Sequence, residues 1–120
     1  MRPTNETGAR ADASRLHAMA AIPGSPGAAR LPESAVRHAL DALTGWTFSQ
    51  DALQKTFTFA DYAGTIAFVN AIAWIAQRLD HHPDLHVGFD RCLVVWTTHD
   101  AKGVTDNDCV AAARTELLLS

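Results

Sequence analysis

From Leu31 onward the apolar positions change period repeatedly, and each change marks an element. Val36, Ala39, Leu40 and Leu43 recur at i, i+3, i+4 and i+7, one face of a helix. Pro32 suits the start of that helix, where its missing N–H costs nothing, and Gly45 is expected to end it. Trp46 and Phe48 then alternate, as do Leu53, Phe57 and Phe59 farther on, the period of half-buried strands. The polar Ser49-Gln50-Asp51 between them predicts a hairpin turn.

Asp61 is placed to cap a long helix running to about Asp80. Two apolar stripes run along it. Phe68, Ile72, Ile75 and Leu79 form one; Tyr62, Ile66, Val69, Ala73 and Ala76 form the other. One stripe suffices to cover a sheet, so the second calls for another surface, and in a chain this small a second subunit is favoured. Trp74 falls outside both stripes, either exposed or part of that contact. Pro83 forces His82 off helical geometry and ends the helix near His81. Leu85, Val87 and Phe89 alternate, Asp90-Arg91 turns, and Cys92 to Thr98 is β-rich. Gly103 allows a tight bend. Thr105 and Asp108 then form a capping-box-like signal for a last helix through Val110, Ala113 and Leu117.

The predicted order is helix, two strands, helix, two strands, helix. Paired hairpins imply an α+β fold: a four-stranded antiparallel sheet with three helices packed on one face. Residues 1–30 differ from the rest. Pro3, Pro23, Gly24, Pro26 and Gly27 punctuate a stretch with few large apolar residues, expected to be a flexible extension with a short helix near Ala13–Ala21. The folded domain is placed at 31–120.

Length and composition narrow the class. A chain of 120 residues supports one domain. A net charge of −3 without any Lys/Arg run argues against nucleic acid as a direct partner. No apolar stretch is long enough for a membrane helix. Ala18 to Ile22, cut by Pro23, is too short for a secretory signal, and Glu6 and Asp12 sit poorly in a transit peptide despite Arg2, Arg10 and Arg15. Cys92 and Cys109 form no Cys-x-x-Cys pair and read as reduced, buried thiols, so a cytoplasmic protein is expected.

The candidate chemistry lies in Asp80-His81-His82-Pro83 and in Trp96-Thr97-Thr98-His99. Imidazole can give and take a proton near neutrality. His81 at a helix C-terminus beside Asp80 meets two influences that favour its cation. His82, on extended backbone, points elsewhere. If the strand end carrying His99 lies near the helix end, the imidazoles line one pocket. Zinc is disfavoured, because two adjacent residues of different backbone geometry do not aim at one ion. His17, His38 and His86 read as ordinary surface or core histidines, and Asp108 as a cap first and an orienting group second.

These residues resemble the pterin-4a-carbinolamine dehydratases. The resemblance runs from about Leu31 to Leu118. It rests on Gly45-Trp46, on Phe57-Thr58-Phe59 leading into Asp61, and on Asp80-His81-His82-Pro83. Phe89, Thr98-His99, and Gly103-Val104-Thr105 with Asp108 complete it. The resemblance implies a dimer or tetramer and dehydration of a 4a-hydroxytetrahydropterin to the quinonoid dihydropterin, recycling the cofactor of aromatic amino-acid hydroxylases. It implies no metal and no organic cofactor. It also implies that His81 and His99 exchange protons, that His82, Gln77 and Pro83 hold the pterin, and that Asp108 and Asp80 support them. The family usually has Glu where this chain has Gln77, which hydrogen-bonds but accepts no proton. The reading is therefore a weakened but active enzyme. The alternative is a non-catalytic scaffold serving as a dimerisation cofactor or assembly chaperone.

Overall fold

Helix α1 (Glu6–Ala20) precedes α2 (Glu33–Leu40), which leads into the hairpin β1 (Thr47–Ser49) and β2 (Ala52–Thr58). The long α3 (Tyr62–Leu79) follows, then β3 (Asp84–Val87), β4 (Arg91–Trp96), a 3-10 turn at His99–Ala101, and α4 (Asp106–Leu117). The structure, a computed structural model, describes residues 6–119. Arg2 and Pro3 lie outside the described residues.

The sheet order is β1-β2-β4-β3, antiparallel throughout. Register explains the core. Leu53 lies opposite Trp96, Phe57 opposite Cys92, and Leu85 opposite Val94. Partners share a face, so these side chains line the helix side. Leu53, Phe57, Cys92, Val94 and Trp96 are buried there with Val36, Phe68 and Ile72 from the helices. Thr56, Thr58 and Arg91 fall on the opposite face and are exposed. The α+β class and the four-stranded antiparallel sheet are those expected. Losing a ring as buried as Trp96 would cost about 3–5 kcal/mol.

Several local details differ from the sequence expectation. Helix α2 stops at Leu40, short of Gly45. The chain tightens there to i+3 hydrogen bonds at Ala42 and Leu43, and both side chains stay buried. Gly45 instead takes a φ of +86, open to glycine because it has no Cβ. Phe59 lies just past β2, although its N–H still donates to the Asp90 carbonyl at 2.8 Å. Phe89 is not a strand residue. It sits in the bend between Gly88 and Arg91, 67% exposed, stacked on Tyr62 at 6.3 Å. The Gln50–Asp51 turn has positive φ at both residues (53 and 60), the twist a two-residue hairpin demands.

A fourth helix is present. Residues Glu6–Ala20 are helical, well beyond the expected Ala13–Ala21, and α1 packs on α4. Leu16, Met19 and Ala20, spaced as a stripe, lie against the core. Arg114 of α4 caps the helix end, its Nε donating to the Ala20 carbonyl (2.8 Å) and its Nη2 to that of Ile22 (2.9 Å).

Candidate active site

Three chain ends build the site. The first is the end of α3. Asp61 opens that helix, its Oδ1 accepting from the Gly64 N–H at 2.8 Å. At the other end Asp80 adopts a left-handed conformation (φ 50, ψ 42), tolerable for Asp. The His81 N–H then reaches back to the Ala76 carbonyl (3.1 Å) and the Asp80 N–H to that of Gln77 (3.3 Å), a Schellman ending. His81 therefore stands just past the helix rather than in its last turn, and the left-handed step turns its side chain inward.

The second is the end of β4. Thr98 and Gly103 bridge, with N–H to carbonyl distances of 3.0 and 3.3 Å, and the loop between them carries His99 in its 3-10 turn. His99 thus lies three residues beyond the strand end, in the turn itself. The third is the start of α4, where the Thr105 N–H donates to Asp108 Oδ2 at 2.9 Å, the capping-box bond anticipated from sequence.

Asp108 gathers the three. It is fully buried. Its Oδ1 meets His81 Nε2 at 2.5 Å, and its Oδ2 accepts the Thr98 hydroxyl at 2.7 Å as well as the Thr105 N–H. The Thr98 and Thr105 hydroxyls are themselves 2.9 Å apart. Burial of a carboxylate is costly unless it is hydrogen-bonded, and here both oxygens are engaged. The His81 ring lies nearly parallel to the Trp96 ring at 5.6 Å, with a 24° interplanar angle. Its side chain retains 14% exposure. Trp96 is held in turn by Nε1 donating to Thr115 Oγ1 at 3.2 Å.

Of the residues expected at the site, His81 and Asp108 are in direct contact, and the carboxylate that His81 meets is Asp108, whereas Asp80 shapes the backbone. His82, Gln77 and His99 are exposed, and Pro83 is half-buried. Trp96 and Thr98 are contributors that sequence reasoning did not single out as site residues. The alternation Cys92, Val94, Trp96 was a signal that Trp96 faces inward; nothing in the pattern pointed to the bond from Thr98. The bland readings of the remaining histidines fit their contacts. His17 Nδ1 donates to the Ala13 carbonyl at 2.8 Å, and the His38 carbonyl accepts from Arg15 at 2.9 Å. Among the described residues no group of three His, Cys, Asp or Glu side chains is arranged to hold a metal ion. No helix among them is long and apolar enough to cross a membrane.

The family described as Pterin 4 alpha carbinolamine dehydratase matches residues 29–118. The chain belongs to that family. A Stenotrophomonas maltophilia (strain K279a) protein, provisionally named pterin-4-alpha-carbinolamine dehydratase, is 48% identical over 91 residues, 74% of this chain and 78% of its own length. A Chromobacterium violaceum protein of the same provisional name is 47% identical over 92 residues, 77% of this chain and 85% of its own. The crystal structure of a transcriptional coactivator/pterin dehydratase from Brucella melitensis superposes with a TM-score of 0.72 at 33% identity, covering 76% of this chain and 99% of that one. A pterin dehydratase-like protein described as a RuBisCO assembly factor in the alpha-carboxysome shares the fold at a TM-score of 0.51 and 24% identity, over 61% of this chain and 84% of that one.

Proposed function

We propose that the protein dehydrates a 4a-hydroxytetrahydropterin to the quinonoid dihydropterin with imidazole acid–base catalysis, recycling the pterin of aromatic amino-acid hydroxylases in the cytoplasm. The 4a-hydroxyl takes a proton and leaves as water, N5 loses its proton, and the C4a–N5 double bond forms. One acid and one base suffice, and such catalysis is typically worth about 10²–10⁴-fold.

The observation that carries this reading is the Asp108–His81 pair, tied to Thr98, the residue before His99. A carboxylate only accepts, so His81 Nε2 holds the proton and Nδ1 is the nitrogen that exchanges one with substrate. His99 supplies the second proton-exchanging group. His82, Gln77 and Pro83 hold the ring, and Asp80 sets the backbone that aims His81. The proposed assembly is a homodimer or homotetramer. Its support is α3, where Tyr62 and Trp74 are 53% and 70% exposed.

A second reading, a scaffold without catalysis, draws on Gln77 in place of the usual acid. Loss of freshly generated 4a-carbinolamine decides between them. Chelator-resistant turnover that disappears in both His81→Ala and His99→Ala supports the enzyme. A rate equal to the uncatalysed one supports the scaffold.

A further inference from the structure

The open face of the sheet, away from the helices, carries a cluster that the histidine site does not use. Leu93 lies opposite Thr56 of β2 on one side and His86 of β3 on the other, so these side chains form one row across three strands. Arg91 stands two residues before Leu93 on the same face, diagonal to both Thr56 and His86 and within reach of a long side chain. The bend after β3 directs it. The Gly88 N–H donates to the Arg91 carbonyl at 2.8 Å, and a Cβ on Gly88 would lie 3.4 Å from Arg91 Cγ and 3.8 Å from its Nε. The arginine stem therefore leans across the glycine toward β3, the strand of His86.

Together with Val87 these residues line a cleft of about 520 Å³, within the range of small-molecule sites. Its lining includes no acid among the described residues. Asp84 is the acid of this face, and it lies opposite Val95, outside the cleft. Among the described residues neither the Arg91 guanidinium nor the His86 ring has a hydrogen-bond or ion-pair partner. Arg30, Arg37 and Arg114, by contrast, are held by Asp51, Glu33 and two backbone carbonyls. A guanidinium fork, an imidazole N–H and a threonine hydroxyl thus face one space from three strands. Donors on several sides suit the three terminal oxygens of a phosphate monoester better than the planar pair of a carboxylate. Leu93 and Val87 give the organic part of such an ester an apolar wall. The cleft is at the Arg91 end of β4, whereas Trp96, stacked with His81, is buried at the other end on the opposite face.

We propose that this face binds a small phosphate monoester, at a site separate from the imidazole site and independent of the dehydratase reading. Phenyl phosphate, inorganic phosphate and benzoate are titrated into the full chain while its backbone amide NMR signals are followed. Phenyl phosphate is expected to give saturable shifts centred on Thr56, His86, Gly88, Arg91 and Leu93, with a Kd on the order of 1 mM, the scale of a few net hydrogen bonds. Arg91→Gln, at an exposed position, is expected to weaken binding about tenfold or more. Thr56→Val, which removes only the hydroxyl, is expected to weaken it several-fold. Unshifted amide signals away from the cleft show that each variant keeps the fold. Inorganic phosphate and benzoate are each expected to bind several-fold more weakly than phenyl phosphate. Inorganic phosphate binding as tightly overturns the ester, and benzoate binding as tightly overturns the phosphate. Absence of saturable shifts with phenyl phosphate, or an affinity unchanged in both variants, overturns the site.

Discussion

His81 and Asp108, 27 positions apart in the chain, meet Nε2 to Oδ1 at 2.5 Å. One lies just past the end of α3 and the other in the first turn of α4, so the contact exists only when the two helices pack together. The same carboxylate closes the N-terminus of α4 by accepting the Thr105 N–H. A single buried group thus terminates a helix and orients an imidazole. Asp108 is both the cap and the orienting group between which the sequence pattern alone could not choose.

Asp108→Asn should therefore fail twice. An amide keeps the size but offers His81 one neutral acceptor instead of an anion. We expect kcat to fall by about 10²-fold or more, because His81 loses the acceptor that fixes its ring. Folding stability should fall by about 1–3 kcal/mol as buried donors lose part of their acceptor. Steady-state kinetics, together with urea denaturation, checks both. An unchanged kcat in a folded variant would restrict Asp108 to capping.

Gln77 is exposed, one helical turn before His81. If charge at that position aids proton transfer, Gln77→Glu should raise kcat several-fold over the native chain, whose activity is expected to be measurable but weak. The specific activities of the two proteins side by side give the answer. An equally inactive pair would favour the scaffold.

Trp74 is 70% exposed on α3 and lies outside both apolar stripes. Placing a charge there should weaken assembly, since a buried unpaired carboxylate is costly. Trp74→Glu is expected to sediment as a smaller species than the native chain at equal concentration. Identical sedimentation profiles would remove this face from the interface.

Both cysteines are free and buried. The Cys109 thiol is pushed up to about 12, first by burial and then by the neighbouring Asp108 and Asp106 carboxylates; burial also raises Cys92. At pH 8 the native protein should react slowly with a thiol reagent and give two equivalents only in urea. The sign of the linked stability follows. An unfolded thiol ionises near its ordinary value of 9.0, whereas the folded Cys109 stays protonated to about 12. The stability this provides is complete below pH 9 and is lost as pH rises toward 12. Fast labelling of the native state at pH 8 would contradict the burial.

Alternation in Leu53–Phe57 and Cys92–Trp96, the Asp61 cap, the Gln50–Asp51 turn and the Thr105–Asp108 box are short-range features. Each depends on side chains a few residues apart, so the sheet, its hairpins and the long helix could be read along the chain. Gly45 and Phe89 were misplaced for a related reason. A turn or bend at the edge of an element is settled by which carbonyl the backbone reaches, and pattern does not record that. Helix α1 was underestimated because Leu16, Met19 and Ala20 form a stripe too small to stabilise a helix alone. Docking on α4 and the Arg114 bonds supply what the local sequence lacks. The residue types of the site were likewise visible, whereas the choice of Asp108 over Asp80 as the partner of His81 was not. Local sequence sets backbone geometry, but contact between residues far apart follows from the packing of whole elements, and only the tertiary structure decides it.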